Sequence, residues 1–127
     1  MLVIARRMGP RPDGEVETVI VNERWVISVT GMEVVMNPPP LRLRALKHVT
    51  PFRFTVRVVD SEDGTERRIG LFCRHPDDVD AESNEIILKH HGHRLRVFVV
   101  RLRGEIVRLG FDGNPNVFTV RRNENPA

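Results

Sequence analysis

Two short clusters carry the residues best suited to chemistry: Cys73-Arg74-His75 and His90-His91-Gly92-His93. One thiolate with three imidazoles would satisfy zinc in principle. Their spacing matches no standard zinc pattern, however, and neighbouring histidines point apart, so the expectation is solvated histidines and no metal. Cys73 and His75, two residues apart on one strand, are not a nucleophile with its base. The chain has no Gly-x-Ser-x-Gly turn, no phosphate-binding loop and no Gly-rich dinucleotide loop. Its carboxylates concentrate in stretches that read as exposed loops. A non-enzymatic chain without cofactor or metal is expected. Cys73 is the only cysteine, which excludes an internal disulfide and suits a reducing compartment.

Charge is more informative in its placement than in its sum. Twenty basic residues face 17 acidic ones, for a net charge of +3. The acids gather at Asp60-Ser61-Glu62-Asp63 and from Asp77 to Glu85, whereas the arginines sit on strand-like segments. Setting those loops aside leaves a basic sheet surface, which favours an anionic partner such as RNA; a solvated, soluble surface is the plain alternative, and charge by itself does not overturn it. Arg6-Arg7 and Arg121-Arg122 close strand-like runs near the two ends. They can bind a polyanion or simply keep strand edges soluble. No apolar run approaches the ~20 residues of a membrane span. The opening run lacks the basic n-region of a secretory signal. A soluble, cytoplasmic protein is expected.

The elements that must position these arginines are mostly strands. In "PFRFTVRVV", Phe52, Phe54, Val56 and Val58 alternate with Arg53, Thr55 and Arg57, as in a half-buried strand. Asp63-Gly64 is a strong turn dipeptide, so 52–59 and 65–72 should form a hairpin. "RLRVFVVRLR", Gly104 and "EIVRLGF" repeat the design. "ETVIV" and "WVISVT" flank a hairpin loop at Asn22-Glu23-Arg24, and "NVFTVRR" reads as a last strand after the Asp112–Pro115 turn. Asn37-Pro38-Pro39-Pro40 is a rigid break. A turn within "LRLRALKH" and the stretch "DAESNEIILKHH" are the helix candidates, the latter with acids at its start and basic residues before Gly92. Val3, Val19, Val21, Trp25, Val26 and Ile27 are assigned to the core. Gly64, Arg68, Ile69 and Gly70 recur as Gly104, Arg108, Leu109 and Gly110, through a duplication or through two similar hairpins. The expected fold is all-β: one domain over 1–127, with small antiparallel sheets in a barrel-like sandwich, interleaved terminal strands and at most one or two short helices.

"MLVIARRMG" resembles the first strand of the carbon storage regulator family, small bacterial RNA-binding translational regulators. "RLRVFVVRLRGEIVRLGFDGNPNVFTVRRNE" is similar to the family's later strands, with Val107-Arg108-Leu109-Gly110 and its proline turn as the more specific core. Residues 1–9 and 94–124 are thus family-like. Residues 10–92 are either an unrelated insertion or a diverged second copy that builds within one chain what the family builds as a homodimer.

The resemblance implies a strand-interleaved assembly, as a homodimer or a monomer with two superimposable halves. In it residues 1–7 would pair within one sheet with 117–122, and the paired strand ends would read GGA in an RNA hairpin loop. Ile4, Arg6 and Arg7 would line one side, with Val120 and Arg121 or Arg122 on the other; two alignments leave that last choice open. Arginine forks bind phosphates and guanine edges, and apolar neighbours support splayed bases. The competing reading is a β-rich protein-interaction or assembly module without RNA binding.

Overall fold

A computed structural model describes residues 1–35, 52–73 and 84–123. The Asn37–Pro40 break, the "LRLRALKH" turn and His75 lie outside these residues. Period-2 alternation becomes nine strands: β1 (Leu2–Arg7), β2 (Val19–Val21), β3 (Trp25–Val34), β4 (Phe52–Asp60), β5 (Glu66–Phe72), β6 (Ile86–His90), β7 (His93–Arg103), β8 (Ile106–Asp112) and β9 (Val120–Arg122). On β4 the expected face holds, with Phe54, Val56 and Val58 buried and Arg53 turned outward. All strand pairings are antiparallel, in two sheets of order β1-β8-β7-β6 and β5-β4-β3-β2-β9. The apolar core lies between them. Among the described residues no helix is long and apolar enough to cross a membrane.

Three sequence expectations change. Residues 84–91 are not helical: Ile86 and Leu88 point inward and Ile87 outward, the period of a strand. The supposed C-cap is a hairpin turn, with positive φ at His91 (50°) and Gly92 (78°). Val3 is exposed and Val26 half-buried, because the phase of their strands sends Ile4, Trp25 and Ile27 inward instead. Within "NVFTVRR" only residues 120–122 are strand, and Phe118 before them is buried.

The two sheets are related by a topological two-fold. Exchanging β1–β4 with β5–β8 turns the order β1-β8-β7-β6 into β5-β4-β3-β2. Details follow the same relation. The buried run Trp25, Ile27, Ser28 and Val29 of β3 matches Leu95, Val97, Phe98 and Val99 of β7. A register shift follows each run, between Val29 and Gly31 and between Val99 and Arg101. At the end of β1 the Arg7 N–H donates to Glu17 Oε1 (3.1 Å), and at the end of β5 the Phe72 N–H donates to Asn84 Oδ1 (2.6 Å). Each half therefore lends its first strand to the other's sheet: β1 pairs with β8, and β5 with β4. The similarity around Gly64 and Gly104 sets hairpin β4–β5 against hairpin β7–β8 and is not this two-fold, which sets β4 against β8 and β5 against β1. It is the likeness of two hairpins.

The symmetry breaks at β9. That strand covers the outer edge of β2, but β4 turns directly into β5 through 61–65, so the first half supplies no counterpart. Among the described residues the outer edge of β6 has no strand beside it.

Two glycines test the packing. A Cβ on Gly110 would run into the ring of Phe98, which is buried, whereas a Cβ on Gly70 would meet the end of the half-exposed Arg53 side chain. Gly110→Ala should therefore cost about 1–3 kcal/mol, as overpacking does. Gly70→Ala should change stability by less than about 0.5 kcal/mol, as a surface substitution does. Urea titrations of the two variants would show the contrast, and equal effects would refute the packing of Phe98 on Gly110.

Candidate functional site

The terminal strands do not share a sheet, contrary to the sequence expectation. β1 is taken up by β8, with Arg6 opposite Val107 and Arg7 opposite Ile106. β9 is taken up by β2, with Val120, Arg121 and Arg122 opposite Val21, Ile20 and Val19. Each is nevertheless the edge strand of its sheet, and the two edges meet across the sandwich. At one end Met1 and Leu2 share a cleft of about 340 Å³ with Phe118 and Val120. At the other, the Arg7 N–H binds Glu17, whose neighbour Thr18 accepts from the Asn123 N–H (3.2 Å). β1 and β9 thus run side by side in one direction, without strand hydrogen bonds between them.

The side chains divide according to strand phase. Ile4 belongs to the core, and Arg6 is 7% exposed, with Nε donating to the Ala5 carbonyl (2.9 Å) and the guanidinium 3.8 Å from Glu17. Neither offers a surface to a ligand, which corrects their assignment as lining residues. Arg7 emerges on the opposite side of β1, half-buried, in an ion pair with Glu105 at 2.7 Å. On β9, Val120 is half-buried and packs against the core. Alternation puts Arg122 on that same face, toward the sheet of β1, and Arg121 on the outer face of its own sheet. Of the two alignments left open, the geometry favours Arg122 as the seam arginine.

Arg121 has a different engagement. Its guanidinium forks onto Glu23 in the β2–β3 turn, with Nη2 2.8 Å from Oε2. The hydrogen bond from Arg121 holds the Glu23 carboxyl below its ordinary range and raises the Arg121 guanidinium. Both side chains are exposed, so this pair orients the arginine more than it stabilises the fold. Glu17, Glu23 and Glu105 escaped the sequence reading, since each meets its arginine only through strand pairing.

The neighbouring histidines do not point apart as expected: the His90 and His91 rings meet edge to face at 4.0 Å. Just past β5, Cys73 Sγ donates to the Val100 carbonyl (3.1 Å); the residue is exposed, yet partial desolvation of its sulfur pushes the thiol up. The His90 ring sits edge-on to Trp25 (6.1 Å) and tilted against Phe118 (6.4 Å), which is a packing role. Among the described residues no three His, Cys, Asp or Glu side chains are grouped to hold a metal. Compared with family models, curated proteins and solved structures, the chain matches none.

Proposed function

We propose that this chain is a non-enzymatic, RNA-binding translational regulator of the carbon storage regulator type, which takes a GGA-containing hairpin loop at the seam of β1 and β9. One observation carries the reading. The first strand of one half runs beside the last strand of the other, within a single chain whose halves exchange strands. The family it resembles brings those two strands together from two chains and pairs them in one sheet, whereas here they belong to facing sheets. The ligand-facing residues are then Arg7, Val120 and Arg122, with Arg121 on the flank; Ile4 and Arg6 support them from within. Because β9 has no counterpart beside β6 among the described residues, one seam is complete there, and one hairpin should bind per chain.

Anisotropy titrations with hairpins carrying GGA or scrambled loops test this. A preference for GGA at a stoichiometry of one is expected. Arg122→Ala should weaken binding roughly tenfold to a hundredfold, the worth of one hydrogen bond to a charged group. Equal affinity for both loops would sink the proposal. The second reading, a protein-assembly module, draws on the outer edge of β6, beside which no strand lies among the described residues; such an edge can accept strand addition. Salt separates the two: phosphate contacts weaken steeply as it rises, and backbone strand pairing does not.

A further inference from the structure

The outer face of the sheet β1-β8-β7-β6 carries cations that the seam does not use. Leu102, Val107 and Leu109 point into the core, so Arg101, Arg103 and Arg108 must project outward. Ile86 and Leu88 fix Lys89 outward in the same way. Pairing then sets like charges directly opposite each other twice, Arg101 against Arg108 and Lys89 against Arg94. Opposed like charges on one sheet face are destabilising. The other sheet has an opposed pair as well, Arg57 and Arg68, but there Glu66 hydrogen-bonds both, and Arg53 has Glu33 at 3.4 Å. Among the described residues no carboxylate pairs with Lys89, Arg94, Arg101, Arg103 or Arg108. The two-fold makes the contrast internal to the molecule: on one outer face a carboxylate bridges the opposed arginines, whereas on the other the carboxylates Glu85 and Glu105 are engaged with Arg96 and Arg7, and the opposed pairs have none.

We infer that this face is a second anion-binding surface, which holds the phosphate backbone of a double-helical RNA stem. The cations do not converge on one point, as they would for a single phosphate. The two opposed pairs are spread along β7, roughly 20 Å apart at strand spacing. Such a row on a flat sheet suits a polyanion that runs across it. Arg108 stands directly opposite Ala5 of β1, so the face is continuous with the seam. A hairpin whose loop lies at the seam would lay its stem over β8 and β7. The identity of the polyanion rests on the RNA-binding reading of the seam; the uncompensated charge does not.

The test uses the full chain, the double variant Arg101→Ala/Arg108→Ala, and two hairpins sharing one stem but differing in loop. The variant should bind both hairpins about tenfold more weakly at low salt, with the ratio between loops unchanged. Its slope of log affinity against log salt should be smaller by about two, one for each lost phosphate contact. Its thermal midpoint should hold or rise, since an opposed like-charge pair is gone. Unchanged affinity for both hairpins would overturn the inference while leaving the seam reading intact. Equal loops with a strong effect of the double variant would do the reverse. Polyglutamate competing as well as the stem would assign the face to an acidic protein and also overturn it.

Discussion

Fragments 1–62 and 63–127, prepared separately, should each lack a cooperative unfolding transition as monomers and should regain one on mixing. The reason lies in the exchange of strands. The first fragment holds β2, β3 and β4, whose inner faces carry Val19, Val21, Ile27, Val29, Phe54 and Val56, all 0% exposed in the whole chain. Among the described residues, those that cover them from the facing sheet come from the second fragment apart from Ile4 and Arg6 of β1, and include Val97, Val99, Val107 and Leu109. Burying one such side chain contributes about 1.5–3 kcal/mol, so uncovering six removes about 9–18 kcal/mol. A domain of this size has only about 5–15 kcal/mol of net stability to lose. The second fragment would in addition lose β1 from the edge of β8 and the partner of β9. Circular dichroism and size measurement of each fragment, alone and mixed, would decide the matter. The second fragment also carries a β9 able to pair with the outer edge of β6, beside which the described residues place no strand, so self-association at high concentration is compatible with the exchange. A monomeric fragment that unfolds cooperatively is not.

How much of this was legible in the sequence depended on range. Alternation located β4, and Asp63-Gly64 located its hairpin with β5, because both signals sit within a few residues. The run Ile86-Ile87-Leu88 has no polar break, and apolar runs of that length read equally well as helix or strand. Flanking acids and Gly92 then imitated helix caps. Pairing of the termini was beyond reach for another reason. β1 and β9 have strand-forming sequences that would suit either sheet, and non-local register decides which edge each joins. The same holds for the site. Glu23 lies 98 residues from Arg121, and only the β2–β9 pairing brings them together. Arg6 and Arg7 looked like one basic unit, but neighbours on a strand face opposite ways, so one is buried and the other is not.

Asn84→Ala should destabilise the protein by about 2–5 kcal/mol, the loss of two hydrogen bonds and the stranding of two partly buried backbone groups. Asn84 is 3% exposed, and its amide spans the backbone of Phe72, accepting from the N–H at 2.6 Å and donating to the carbonyl at 2.7 Å. Among the described residues no strand pairs with that edge of β5, so the side chain stands in for one. In doing so it ties the first strand of the second half to the segment that leads into β6. Glu17 holds the matching place in the first half, where it accepts from the Arg7 N–H, lies 3.8 Å from the Arg6 guanidinium, leaves the Arg7 carbonyl to other partners and is 20% exposed. Water can replace it, so Glu17→Ala should cost less than Asn84→Ala. Asn84→Asp separates the two bonds, since it keeps an acceptor for the N–H but turns a carboxylate oxygen toward the Phe72 carbonyl. Burial and that facing oxygen favour the protonated acid, raising its pKa in the fold above the unfolded value. Stability of this variant is then retained at pH 4 and lost as pH rises toward 8, opposite to a paired surface carboxylate. Urea midpoints for Asn84→Ala, Glu17→Ala and Asn84→Asp at the two pH values would measure all of this. An Asn84→Asp variant with pH-independent stability would show that the amide does not bridge Phe72 as described.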